Sequence, residues 1–499
     1  MKRRKAAQGA QGVVDRREFL ETAGKYTVTG LAAGGTIESL GKNSAMAVQI
    51  ATSNQAEARA ANIARFTVNT RYEALPPKAL EWARIAMIDC LAVAVAGSRE
   101  ESSKICAELA RQEKAAEEAT VYGHGFKSSA AQAAFANGIA AHATDFDHSF
   151  VIGGQPSAPI IPAVFALGES LGANGKQVLE AYIAGFEVAA QLTLAGQEEG
   201  GAGVPPGVFG AAAACAKLLR LKESEIEMAL GIASAMVSGL GTTQGTMGKP
   251  LGVGLAARAG VLAARMAKAG FTAGQPNLPV LADLGQVYAL EKYGVRLKAY
   301  PCGGLTHTAI YATIQLRNQH SITEDVVDHI DVEVPQGTAN TIMYAIPETG
   351  LQGKFSMGYL IARALIDGKL MLDAFTDQAV RDEKVLRLVK KVEMKIDPSL
   401  PSSQSADGSR PATVTIRLNN GQTHRLNQRF PKGSPQLPMT PDELREKVRA
   451  CARGVIGAAP CERAMAYVST LETMANIRPL AEQLRAGARK HESRPVAGV

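Results

Sequence analysis

The sequence predicts a mainly α protein, a large all-helical domain with a smaller α+β domain inserted late in the chain. Three observations carry this expectation. Apolar residues recur at helical spacing from about Gln55 to Gly285. After Gly285 the period changes: Ile330, Val332 and Val334 alternate with charged residues, and so do Val414, Ile416 and Leu418, as strands require. Gly is frequent (49 residues), Ala is abundant, and aromatics make up only 5%, which favours helices packed closely through small side chains. At 499 residues the chain exceeds one typical core. The expected division is an all-helical domain over 48–285 and 431–499, with the α+β domain over 286–430.

Residues 1–47 are read separately. Asp15-Arg16-Arg17-Glu18-Phe19-Leu20 resembles a twin-arginine signal core, a mildly apolar stretch runs from Tyr26 to Ile37, and Ala45-Met46-Ala47 offers a small-x-small cleavage site. A basic region, an apolar region and a cleavage site follow in the order of a signal peptide. The expectation is periplasmic delivery of a folded protein that begins near Val48; a basic tail on a cytoplasmic protein is the plain alternative. The formal net charge is +7, but Lys2, Arg3, Arg4, Lys5, Arg16 and Arg17 supply much of it, so the body is close to neutral. Basic and aromatic residues do not interleave, and nucleic-acid binding is not expected. No apolar run demands a membrane span, so no membrane partner is expected after cleavage.

The elements follow in order. Pro76 and Pro77 introduce a helix over Lys78–Ala96 that Gly97 ends, and a second covers Ser102–Lys114. Ser128 is a suitable cap for the Ala-rich helix that follows. Residues 160–171 and 176–195 read as helices joined by a turn at Gly172–Gly175, and 207–219, 223–239 and 250–269 complete the helical region. Near-continuous apolarity in several of them means burial on most sides. In the second region, helices at about 305–318, 355–366 and 383–391 lie among the strands. Asn419-Asn420-Gly421 marks a tight hairpin into Gln422–Leu426. Thr440-Pro441-Asp442-Glu443 has capping-box spacing and restarts helical structure to about Ala488, which is expected to pack back on the first domain. The cysteines Cys90, Cys106, Cys215, Cys302, Cys451 and Cys461 form no C-x-x-C pair, so no zinc site is expected and buried thiols are the ordinary reading.

The densest chemistry lies in Asn137–Ser157, NGIAAHATDFDHSFVIGGQPS. The helical pattern is lost at Thr144, and Asp145, Asp147 and His148 follow at once, with His142 one turn earlier. Two carboxylates and two imidazoles at a helix end suit acid–base chemistry or a metal. Short charged helix ends are also common and inert. Gly239-Leu240-Gly241 does not follow a strand, and Gly245-Thr246-Met247-Gly248-Lys249-Pro250 lacks Walker spacing, so a nucleotide site is not supported. Lys249 stands where a loop enters a helix, a place where a cation beside amide donors can hold a carboxylate. Lys298 precedes another helical pattern that contains His307 and offers a second anion contact.

Several segments, taken in order, resemble the MmgE/PrpD family: HATDFD followed by PSAPIIPA, LEAYIAGFEVAAQL, GAAAACAKLLRL, GKPL, LKAYPCGGLTHTAI and KFSMGYLIARALIDG. The resemblance spans about residues 55 to 485. It implies an all-helical domain with a smaller α+β lid, usually a homodimer, with the active site between the two. It also implies a cofactor-independent, metal-free enzyme acting on a small polycarboxylic acid, as 2-methylcitrate dehydratase, cis-aconitate decarboxylase or iminodisuccinate epimerase does. By the resemblance Asp145, Asp147 and Ser149 match the acidic loop, Lys249 and Lys298 the site lysines, and Tyr359 the site tyrosine. Gln155 stands where relatives usually carry a His before Pro-Ser, Gly201 where a loop His is expected, and Gly303 where a decarboxylase-type His follows Pro301. His148 takes a place often filled by Asp. The expected catalytic set is therefore Asp145, His148, Lys249 and Tyr359, with His142, Asp147, Ser149, Gln155 and Lys298 binding substrate. The expected activity is that of a hydro-lyase which removes a proton next to a carboxylate. An epimerase or isomerase is the alternative, and a non-catalytic carboxylate-binding protein is the rival from another class.

Overall fold

The computed structural model describes residues 59–198, 205–236, 243–401, 405 and 407–485. The signal-like segment 1–47, with its twin-arginine pair and cleavage site, lies outside the described residues, as does Gly201. The protein is mainly α, with a smaller α+β layer. In the helical layer the principal helices are α1 (Pro77–Gly97), α2 (Glu101–Gln112), α3 (Ala130–Ala143), α4 (Ser157–Leu171), α5 (Gly175–Glu198), α6 (Pro206–Leu218), α7 (Glu223–Ala235) and α8 (Gly248–Lys268). The second layer carries α9 (His307–His320), α10 (Met357–Asp367) and α11 (Glu383–Val389), and α12 (Pro441–Ala452) and α13 (Ala458–Ser469) follow.

The centre of the helical layer is α3, whose residues are buried except Phe135. Its N-cap is Ser129, not Ser128: the Ser129 hydroxyl accepts from the Gln132 amide at 3.3 Å. A one-residue slip of this kind is expected where two serines stand side by side, since either can present its oxygen to the first turn. Helix α3 crosses α8 at a point made of glycine. A Cβ on Gly138 would sit 3.0 Å from the Gly254 Cα, and one on Gly254 would sit 2.7 Å from the Phe135 carbonyl. From that crossing α3 runs forward to Asp145 while α8 runs back to Lys249. At ~3.6 residues per turn the two side chains arrive about two turns and about one and a half turns along in the same direction. The close approach of two backbones thus places a carboxylate against an ammonium.

Helix α5 corrects one expectation. Its Gly175–Gly196 stretch, with mean hydropathy 1.3, is long and apolar enough to cross a membrane by length and composition. Here 78% of that window is buried inside the protein, and Val178, Leu179, Ile183 and Phe186 belong to the main core. An all-round apolar helix is what the centre of a large helical layer requires.

The main sheet has the order β6-β5-β7-β8, with β5 (Val327–Val334), β6 (Val392–Ile396), β7 (Ala412–Leu418) and β8 (Thr423–Gln428). β5 pairs parallel to β6 and antiparallel to β7, and β7 pairs antiparallel to β8 through the predicted hairpin. Ile330, Val332, Val334, Val414 and Ile416 face α9, α10 and α11 in a core separate from that of the helical layer. Three pairings were not expected. β6 alternates like its neighbours but is only five residues long. β1 (Ala119–Val121) with β2 (Phe126–Ser128), and β3 (Ser149–Phe150) with β4 (Val295–Arg296), are too short to show a period. The capping box forms as read, with Thr440 and Glu443 each taking the other's amide. α12 and α13 then pack on α1, where Val448, Cys451 and Cys461 meet Ala92, Val93 and Ala96.

Candidate active site

Helix α3 ends at Ala143, and the chain leaves it through Thr144 into Asp145, which adopts a left-handed φ of 54°. Asp tolerates this conformation better than most residues, and a strained carboxylate at a helix end is a mark of function. The turn buries Asp145 to 3% exposure and aims it at two ammonium groups. Lys249 at the start of α8 and Lys298 after β4 both donate to Asp145 Oδ1 at 2.6 Å, and Lys298 also donates to the Asp145 carbonyl at 2.9 Å. Burial opposes the charge on Asp145, but the two lysines outweigh it and hold the carboxyl well below the usual range. Oδ2 of the same carboxylate is buried without a partner.

His142, one turn back on α3, contacts the two Asp147 oxygens through Nδ1 at 2.9 and 3.0 Å. Burial again opposes ionisation of Asp147, and the His142 ring overcomes it. His142, Asp145 and Asp147 present ligand atoms within 4.8 Å of one another. The ammonium groups on Asp145 already supply positive charge at that point.

A second carboxylate–imidazole pair lies beside the first. Asp89, alone among apolar neighbours in α1, accepts at Oδ2 from the His148 backbone amide and contacts His148 Nδ1, both at 2.9 Å. Its other oxygen is 2.5 Å from Lys447 Nζ, which also donates to the Phe146 and Lys298 carbonyls. Burial pushes Asp89 up, and Lys447 and His148 pull it further down, to about 2. With Nδ1 committed to a carboxylate, His148 keeps Nε2 buried and unpaired. His148 is therefore turned inward.

Lys354 adds a further cation, donating to the Thr144 carbonyl at 2.7 Å from a fully buried position, where desolvation lowers its pKa. It holds the residue directly before Asp145. Tyr344 closes on the loop before Lys249, its phenol lying 2.6 Å from the place a side chain on Gly245 would occupy.

The structure thus brings together Asp145, Asp147, His142, Lys249 and Lys298, with His148 in the adjoining network. It does not bring Tyr359 to them. That ring lies in the core of the sheet layer, its hydroxyl donates to the Ala374 carbonyl, and burial raises its pKa far above the usual value. A helix-borne Tyr one residue past a packed Met-Gly is placed by its core face, which one sequence does not reveal. Ser149 is buried in β3, paired in register with Arg296, and Gln155 is half-buried in the turn before α4, its carbonyl accepting from Ala158. At Gly303 the space for a side chain is bounded by Ile342, Phe355 and the Lys354 carbonyl, so apolar packing stands where the resemblance expects an imidazole.

Asp89, Lys354 and Lys447 were missed as site residues. Asp89 left a readable signal, a lone carboxylate inside an apolar helix. Lys354 heads the KFSMGYL segment, and Lys447 left none, standing in a helix that is charged on most sides.

Buried acids gripped by ammonium groups, beside imidazoles in contact with carboxylates, form a site whose groups suit proton transfer. The chain belongs to the MmgE/PrpD family and is an enzyme of lyase type. The MmgE/PrpD N-terminal domain matches residues 61–286 and the C-terminal domain residues 300–473. Relatives include the cis-aconitate decarboxylase of Mus musculus, 26% identical over 76% of this chain and 84% of the relative. That of Homo sapiens is 25% identical over 80% and 89%. That of Aspergillus terreus is 28% identical over 88% and 98%.

Proposed function

We propose that the protein is a lyase for a small di- or tricarboxylic acid, acting through a carbanion next to a substrate carboxylate. The observation that carries this reading is the pair of ammonium groups at 2.6 Å on Asp145 Oδ1. Charge that develops on a substrate carboxylate as the adjacent carbon loses a proton needs preorganised cations in a desolvated site, and Lys249 and Lys298 supply them. Asp145 itself is a poor base, because those lysines stabilise its ionised form. The proton instead moves to an imidazole. His142 and His148 each have Nδ1 on a carboxylate, which leaves Nε2 to accept, and such groups contribute ~10²–10⁴-fold. The unpaired Asp145 Oδ2 accepts a hydrogen bond from the substrate hydroxyl. In the hydro-lyase reaction the C–H pair forms the new C=C bond, and the β-hydroxyl leaves as water with a proton from the site.

A second reading draws on the relatives' printed name: the same cations suit the carbanion left when CO₂ departs, which then takes up a proton. One experiment separates the two. The full-length protein is incubated in D₂O with citrate, methylcitrate, cis-aconitate, malate and iminodisuccinate-type acids and followed by NMR. Elimination gives an alkene and water, decarboxylation gives CO₂ and a product deuterated at the carbon that had carried the departed carboxylate, and epimerisation gives deuterium at an inverted centre. Absence of exchange and of every one of these products in wild type with every acid, despite saturable binding, sinks the lyase reading and favours a carboxylate-binding protein.

Export is the second part of the proposal, supported by Arg16-Arg17 and Ala45-Met46-Ala47 in signal order. Cell fractionation is expected to find wild type in the periplasm, shortened to begin near Val48, and the Arg16→Lys/Arg17→Lys variant in the cytoplasm at full length. Equal distribution of the two forms overturns it.

A further inference from the structure

Arg296 and Lys298 stand two residues apart on a strand end. Val295 and Leu297 point into the helical core, so the alternation turns Arg296 and Lys298 the other way. Arg296 is 3% exposed, and its Nη2 donates to the Val151 carbonyl at 2.8 Å and the Gly408 carbonyl at 2.6 Å. Its Nε and Nη1 are buried and make no hydrogen bond. Arg410 approaches from the start of β7, with its Nε buried and equally unpaired. Its Nη1 lies 2.6 Å from the place where a side chain on Gly304 would begin, and Lys298 Cε lies 3.9 Å from that same place. Glycine at 304 leaves room for the Arg410 guanidinium, with Lys298 bordering the same space.

Among the described residues no carboxylate pairs with either guanidinium. Burial, and then the charge of Arg410, pull Arg296 down to about 8; burial alone lowers Arg410 to about 10. A buried guanidinium beside a half-buried one, with no counter-ion, is costly, and Arg presents donors in a fork that fits a carboxylate. Two carbonyls account for one nitrogen of Arg296 and for none of Arg410, so tying the backbone does not explain the cluster.

We infer that Arg296 and Arg410, flanking Lys298, form a second carboxylate subsite, so that the substrate carries at least two carboxylates. One is held at Lys249 and Lys298 beside Asp145 and the other across the two arginines. The inference rests on the anionic-substrate reading above and extends it to charge number and spacing. The subsite binds and orients; the proton transfer belongs to the first.

Calorimetric titration of the full-length protein with tricarballylate and with propionate tests this. Wild type is expected to bind the tricarboxylate tightly and propionate weakly. Arg410→Gln, which breaks no backbone tie, is expected to lose about 10- to 100-fold for tricarballylate, the worth of a charge-assisted hydrogen-bond pair, and to keep its weak propionate affinity. Arg296→Gln follows the same pattern where its thermal melt matches wild type. Tricarballylate affinity in Arg410→Gln within twofold of wild type overturns the subsite, as does wild-type protein that binds the tricarboxylate no better than propionate. If no acid exchanges in D₂O but Arg410→Gln still loses tricarballylate, the subsite stands and the lyase reading falls.

Discussion

Lys298→Met is expected to lower kcat by about 10²–10³ while leaving the fold in place, the loss seen when one preorganised charge donor is removed from a reacting centre. Lys298 Nζ reaches Asp145 twice, through the carboxylate and the carbonyl, and is 3% exposed, so its charge acts where water does not screen it. If the charge serves the transition state, kcat falls more than KM rises. The variant also carries a pH signature. Asp145 lies well below the usual carboxylate range because Lys249 and Lys298 outweigh burial; without Lys298 it rises toward that range. Acid unfolding of Lys298→Met is then expected to begin at higher pH than that of wild type, because a carboxylate held less far below its ordinary range is protonated sooner as pH falls. An unchanged kcat, or acid unfolding at the same pH as wild type, contradicts the role given to Lys298.

Asp89→Asn is expected to cost about 3–5 kcal/mol of stability, the usual loss when one member of a buried ion pair is removed and the other charge stays. Lys447 would keep its two carbonyls but lose the carboxylate 2.5 Å away, and His148 would lose the partner that sets its tautomer. The pH dependence has a definite sign. Asp89 is depressed from 3.8 in the open chain to about 2 when folded, so its contribution is present above about pH 4 and fades as pH falls through 2. Urea melts are therefore expected to show the deficit of Asp89→Asn at neutral pH and to show it shrinking between pH 4 and 2. A constant deficit over that window would remove the ion pair as its cause.

The helical layer was legible because burial imposes a long period that many residues repeat. Asp145, Lys249 and Lys298 were legible as sequence positions, since each stands where an element begins or ends. Which groups meet them was not. Arg296 hides in Val295-Arg296-Leu297-Lys298, an alternation only four residues long, and its pairing with Ser149 crosses most of the helical layer. Tyr359 was misplaced because a motif fixes a residue in the chain but not the direction of its ring; packing against Phe375 and the Ala374 carbonyl decides that. The missing imidazole at Gly303 reads as a loss in sequence. In the structure Ile342 and Phe355 border that space, so the change is one of polarity as well as of base.

Lys354, next to Phe355 of the sheet-layer core, donates to the Thr144 carbonyl at the end of α3, across 210 positions of chain. Closing so long a loop is entropically costly, and each layer must first have its own core to hold its end of the contact in place. The complete charge cluster therefore needs both cores, and catalytic competence is expected to report that both have formed. A chain delivered across a membrane only after folding would carry that proof with it.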